Sequence, residues 1–275
     1  MSQASETHSM TAWIEGVGFI APGLPDWVSA VEALSGRAAY ESAPSVLPPP
    51  QGLGSAERRR ASRVVKLALA LGHEAAANAQ ADVSSLATVF SASGADGHNC
   101  HALCEQLATD DRQISPTRFH NSVHNAAAGY WSMATHCMAP CQVLSAFDGS
   151  FGAGLIDAMG QVLADRQATM LVAYDSEYPA PLHAVRPVPD CAGVALVLAP
   201  EQSARSLASV SMRSVHGDAI DPVPAQPAVL ESLRQSTPAL RSLPFLALLA
   251  KAEAGTVQIE YLDGMALQLK VQPCR

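Results

Sequence analysis

The residues of this chain whose types and spacing could do chemistry gather between Phe119 and Ser150. An apolar segment, Gln142 to Ala146, reads as a buried strand that runs into Phe147-Asp148-Gly149 and then a helical pattern from Ser150 to Ala164. Strand, tight turn and helix in that order form the elbow on which α/β enzymes mount a nucleophile, and the residue offered at this turn is Asp148. A carboxylate there would sit in the positive field of a helix N-terminus, which favours the anion. Acylation would give it an anhydride, and it is a weaker nucleophile than a thiolate. Its other role is a cap for the helix that follows. Just upstream, Phe119-His-Asn-Ser-Val-His-Asn brings His120, Asn121, His124 and Asn125 together. His124 beside Asp148 could activate a water for hydrolysis. Polar satisfaction of a buried interface is the competing reading of these side chains.

Other constellations carry less. His98, Cys100, His101 and Cys104 offer two His and two Cys on one helical segment. Structural zinc pairs two ligand clusters separated in sequence, and a second cluster is not evident, so half-buried helix residues are expected and no metal. Neither Ser145 nor Ser150 completes a Gly-x-Ser-x-Gly, and no phosphate loop or dinucleotide fingerprint occurs, so no cofactor is expected.

Composition narrows the class. The 275 residues suffice for one large domain or two small ones, and 48% of them are apolar, which suits a packed interior rather than disorder. A net charge of −8 argues against nucleic acid as partner. The one basic cluster, Arg58-Arg-Arg60 with Arg63, reads as an exposed helical face rather than an anion site. Residues 1–11 form a polar tail without the apolar core of a signal peptide, and no apolar run approaches the ~18 residues that span a bilayer. The expectation is a cytoplasmic protein whose six cysteines stay reduced.

The elements that must position the elbow follow from periodicity. Strands are expected at Trp13–Ile20, Ala87–Ala92, Thr169–Tyr174 and Val194–Leu198. Helices are expected at Trp27–Leu34, Ala56 to about Asn78, from Gly97 to Ala108 and from Asn125 to His136. Apolar strands alternating with helices imply an α/β fold with a mostly buried parallel or mixed sheet, helices on both faces. The tail, 201–275, differs: two helical stretches, Pro227–Gln235 and Leu243–Ala252, precede strictly alternating runs on either side of Asp263-Gly264. That pattern predicts a hairpin with a type I′ turn.

Five segments in order resemble the β-ketoacyl synthase (condensing enzyme) family. They are Gly16-Val-Gly-Phe-Ile-Ala-Pro-Gly23, Ser91-Ala-Ser-Gly-Ala-Asp-Gly97, Asn125-Ala-Ala-Ala-Gly129, Ala139 through Gly154, and Cys191-Ala-Gly-Val-Ala-Leu-Val-Leu198. The resemblance implies a thiolase-like layered αβα fold, with a complete N-terminal half over residues 12–200 and a truncated C-terminal half over 201–275 packed on it. His120-Asn-Ser-Val-His-Asn125 and the short tail make the chain most similar to the cysteine-less chain-length factors of aryl-polyene-type systems. The family's catalytic cysteine would fall at the elbow, where this chain has Asp148, and its two decarboxylation histidines have no match, since only His183 and His216 lie beyond the elbow.

The resemblance therefore implies a catalytically silent subunit with no catalytic residues and no cofactor. It would pair with an active ketosynthase as a heterodimer, or with itself, and meet the acyl carrier protein through that partner. Phe119, His120, Asn121, His124, Asn125, Gly129, Trp131, Phe147 and Ser150 are the residues expected at the tunnel or the interface. The alternative is a free-standing acyl-thioester hydrolase or acyltransferase using Asp148 and His124.

Overall fold

The computed structural model describes residues 9–225 and 227–274. Most of the expected polar tail, residues 1–8, lies outside the described residues. Its end does not behave as a tail, because Met10 and Thr11 already pair with Met212 and Ser211.

The strands are β1 (Met10–Ile20), β2 (Ala87–Ser91), β3 (Cys141–Leu144), β4 (Thr169–Asp175), β5 (Ala192–Ala199), β6 (Ala208–His216), β7 (Gly255–Leu262) and β8 (Met265–Pro273). The helices of the first half are α1 (Trp27–Leu34), α2 (Ser55–Arg60), α3 (Arg63–Ala79), α4 (Gly97–Leu107), α5 (Pro116–His120), α6 (Ala126–Thr135) and α7 (Ser150–Asp165). The short α8 (Ala180–His183) follows β4, and α9 (Glu231–Ser236) and α10 (Leu243–Lys251) belong to the tail. Among the described residues, the eight strands form one mixed sheet in the order β3-β2-β4-β5-β1-β6-β8-β7. β3, β2 and β4 run parallel, and the remaining neighbours are antiparallel.

Alternate residues of the central strands serve two cores. Val89, Leu171, Ala173, Val194, Leu196 and Leu198 face α1, α7 and α10, whereas Phe90, Met170, Val172, Tyr174, Ala195 and Val197 face α3 and α6. Both faces are covered, so these strands read as unbroken apolar runs. β6 and β8 behave otherwise. Val210, Met212, Leu267, Leu269 and Val271 join the first core, while Arg213 and Lys270 are exposed on the opposite side, so this end of the sheet is covered on one face.

Glycines let α3 lie directly on β1. A Cβ on Gly16 would stand 2.2 Å from the Ala75 carbonyl oxygen, and one on Gly18 the same distance from that of Leu71, closer than any real contact allows.

Several expectations are corrected. The single helix expected from Ala56 breaks at Ala61 and Ser62, both extended, because the Ser62 hydroxyl caps α3 at the Val65 N–H. β3, expected to be buried, is an edge strand with Cys141 and Gln142 exposed. The hairpin β7–β8 turns at Asp263-Gly264, but among the described residues there only Gly264 has a positive φ, +69°, so the turn is not type I′. Three further elements, β6, α5 and the short α8, had no counterpart in the sequence reading.

Candidate functional site: the strand-turn-helix elbow

β3 ends at Leu144, the chain turns through Phe147–Gly149 as a single 3₁₀ turn, and α7 begins at Ser150. Phe147 has a φ of +51°, a left-handed conformation that bulky residues rarely adopt. It is the strained apex of the elbow, one position before the Asp148 that the sequence reading placed there. The Ser150 hydroxyl locks the turn: it donates to the Phe147 carbonyl at 2.7 Å and accepts from the Ala146 N–H at 3.0 Å. From β2, the Ser91 hydroxyl donates to the Ser150 carbonyl at 2.6 Å. The Phe147 ring is 65% exposed and lies under the Arg186 guanidinium, 3.9 Å from it. That is a cation–π contact.

Among the described residues, Asp148 neither caps α7 nor meets a histidine. Its carboxylate takes Arg186 at 2.6 Å on one oxygen and Arg241 at 3.5 Å on the other. Arg241 also pairs closely with Glu260, Glu260 with Arg234 at 2.8 Å, and Arg234 grips Glu231 with two hydrogen bonds of 2.7 and 2.8 Å. Cation and anion alternate from the elbow through the tail. Hydrogen bonds from Arg234 hold the Glu231 carboxyl down at about 2 against the opposing effect of burial. A carboxylate flanked by two guanidiniums has its charge compensated, which opposes attack on an acyl group.

Behind the elbow, Asp175 at the end of β4 is fully buried and accepts from the Ser93 N–H (2.9 Å), the Ser93 hydroxyl (2.5 Å) and the Ala239 N–H (2.8 Å). Burial pushes its carboxyl up to about 6, with these bonds and Arg186 acting in the other direction. Asp175 thus ties the turn after β2 to the tail.

The expected tunnel and interface residues separate into groups. Phe119, His120, Asn125 and Gly129, with Val123 and Met133, line an open apolar groove of ≈ 510 Å³ between α5 and α6. His124 is turned away, its Nε2 at 3.3 Å from the Ala92 carbonyl, and among the described residues it makes no hydrogen bond to Asp148. Three residues leave the surface set. Trp131 is 1% exposed and packs on His73 and Phe90 in the core. Asn121 is buried, donating to the Arg60 carbonyl at 3.0 Å and accepting from the Tyr130 hydroxyl at 3.3 Å. Ser150 is the buried staple of the turn. The polar groups of Asn121 and Ser150 are satisfied from within the chain, whereas the buried indole N–H of Trp131 has no hydrogen-bond partner among the described residues.

One group of potential metal ligands lies outside the elbow: atoms of Glu177, Asp190 and Cys191 all fall within 4.8 Å of one another. Arg63 already serves as their cation, at 2.9 Å from Glu177 and 2.5 Å from Asp190, and burial next to Glu177 pushes the Cys191 thiol up to about 12. The donor set therefore suits a guanidinium better than a metal ion, which would need the thiolate. Of the earlier zinc candidates, His101 pairs with Glu105 at 3.3 Å and His98 lies 4.0 Å from Glu177.

Residues 36–244 match the family described as β-ketoacyl synthase, N-terminal domain. The chain belongs to that family. No curated protein matches it. Among solved structures, a chain of the ketosynthase ApeO in complex with its chain length factor ApeC from Xenorhabdus doucetiae is 22% identical, with a TM-score of 0.71 over 94% of this chain and 99% of that one. The ishigamide ketosynthase/chain length factor is 16% identical, with a TM-score of 0.70 over 96% and 100%. AntDE:AntF, an acyl-carrier protein in complex with its ketosynthase bound to the hexaketide, gives 11% and 0.76 over 97% and 100%. At these identities the likeness shows the fold, the thiolase-like αβα arrangement expected from the resemblance.

The sequence reading missed Arg186, Arg234, Arg241 and Glu260. No local motif marks them, since they meet Asp148 and one another only through the packing of the tail against the elbow.

Proposed function

We propose that this chain is a catalytically silent ketosynthase-like subunit, a chain-length-factor type of pseudoenzyme, in polyketide or fatty-acid-type biosynthesis such as that of aryl polyenes. It pairs with an active β-ketoacyl synthase, closes the floor of that partner's acyl tunnel and meets the acyl carrier protein through it, in the cytoplasm. Residues 12–200 act as the ketosynthase-like half and 201–275 as a short extension in place of a second half.

The observation that carries this reading is the elbow. Its strained apex, where an elbow enzyme presents a nucleophile, holds Phe147, and the adjacent Asp148 is clamped by Arg186 and Arg241. A phenyl ring offers no nucleophile to take an acyl group from a thioester. Two exposed apolar features support pairing: the groove holding Phe119, Val123 and Met133, and the unpaired edge of β3, preceded by Met138 at 93% exposure. The solved structures described above as ketosynthases with chain length factors share the fold over nearly their full length.

Silence is tested by incubating the isolated chain with acyl thioesters and recording intact mass and free thiol. The expected result is an unchanged mass and no release of thiol above the uncatalysed rate. An acyl adduct lost in Asp148→Ala would overturn the reading in favour of a free-standing acyltransferase or thioesterase. The separation of His124 from Asp148 does not favour that alternative.

A further inference from the structure

The arginine cluster read from the sequence as a solvated helix face borders a cleft of ≈ 630 Å³, lined by Arg59, Arg60, Arg63 and Arg118 together with Ser115 and Thr117. We propose that this cleft binds a phosphate monoester, its dianionic head held by the arginines.

The charge balance is the first argument. The chain carries 25 acidic and 17 basic side chains, yet among the described residues Arg58, Arg59, Arg60 and Arg118 reach no carboxylate. The two carboxylates in the cleft wall are engaged. Glu177 holds Arg63 at 2.9 Å, and Asp96 caps α4 through the Asn99 N–H at 2.9 Å. Arg59, Arg60 and Arg118 thus leave a positive surplus on one concave surface of an acidic protein. Mutual repulsion opposes that arrangement unless an anion settles there.

Position is the second argument. β2 and β4 are parallel neighbours, and the cleft opens beyond their carboxyl ends, with Asp96 following β2 and Ser176 and Glu177 following β4. Crevices at the carboxyl ends of strands are where α/β folds seat ligands. The 17-residue helix α3 also begins in the wall, at Arg63, and adds the partial positive charge of its N-terminus.

The donor chemistry selects the class. Guanidinium forks match the paired oxygens of a phosphate, and the Ser115 and Thr117 hydroxyls can donate to the third. The volume exceeds what a bare phosphate fills, leaving room for the organic arm of an ester.

The test is calorimetric titration of the full chain at low ionic strength with inorganic phosphate and, separately, phenyl phosphate. Arg60→Ser and Arg118→Ser are each expected to weaken binding at least about tenfold, and Arg213→Ser, on β6, to leave it unchanged. Both cleft side chains are exposed, so the urea midpoint should hold and confirm the fold. Tighter binding of phenyl phosphate supports an esterified ligand; equal binding overturns the arm and leaves a site for the free ion. No binding of either, or binding that Arg60→Ser and Arg118→Ser leave intact, overturns the site itself.

Discussion

Phe119→Asp together with Val123→Asp is expected to weaken the complex with a ketosynthase subunit about a hundredfold or more, while the isolated chain keeps its stability within about 0.5 kcal/mol. The asymmetry follows from where these side chains sit. Phe119 is 66% and Val123 50% exposed in the free chain, so the substituted carboxylates stay in water and cost the fold little. Once a partner covers the groove, each becomes a buried and unpaired charge, and that penalty of about 3 kcal/mol or more corresponds to two decades in affinity. Sedimentation or biolayer measurements on the purified pair, beside a urea titration of the variant alone, separate the two effects. Unchanged affinity would place the interface elsewhere.

Arg234→Ala is expected to destabilise the chain by about 3 kcal/mol, the largest effect of any charged residue in the elbow's ion-pair chain. Its side chain is 7% exposed, whereas Glu231 and Glu260, its two partners, are 22% and 38% exposed. Removing the guanidinium leaves Glu231 without its cation and Glu260 with Arg241 alone, and Arg234→Met, which keeps the aliphatic stem, should recover only the packing part of the loss. The pH dependence carries a sign. Glu231 is held at about 2, below its ordinary value of 4.5, so its contribution is complete above about pH 4.5 and is lost as the pH falls toward 2. Urea midpoints of the native chain should therefore fall through that window, and those of Arg234→Ala should fall less. Parallel curves would show that Arg234 is not the partner that holds Glu231 ionised.

Much of the fold is legible because its cause is local. The central strands are apolar through most of their length, since both faces are covered, and the hairpin alternates because only one of its faces is. β6 carries a local signal as well, unused in the sequence reading: Ala208-Ser-Val-Ser-Met-Arg213 alternates apolar and polar residues at strand spacing, and the strand pairs with β1 on one side and β8 on the other. The short length of α5 concealed that helix, although Ser115 and Pro116 form a start signal, and it is set by the Ser115 cap and packing near α4.

At the elbow, strand, turn and helix were readable, and the apex was not. Which of Phe147 and Asp148 takes the left-handed conformation depends on the Ser150 staple. The electrostatics were less readable still, because Asp148 meets Arg186 and Arg241 across stretches of chain that only folding brings together. Likewise the burial of Trp131 is decided by α6 lying on α3, and that of Asn121 by its bonds to Arg60 of α2 and Tyr130 of α6, so a residue near the elbow in sequence can belong to the core.

The measurement that bears most directly on the proposed role is the native mass, by light scattering, of this chain co-expressed with the ketosynthase encoded nearest to it. A one-to-one complex is expected, with the isolated chain unreactive toward acyl thioesters. A chain that remains apart from the ketosynthase, as a monomer or as a homodimer, would contradict it.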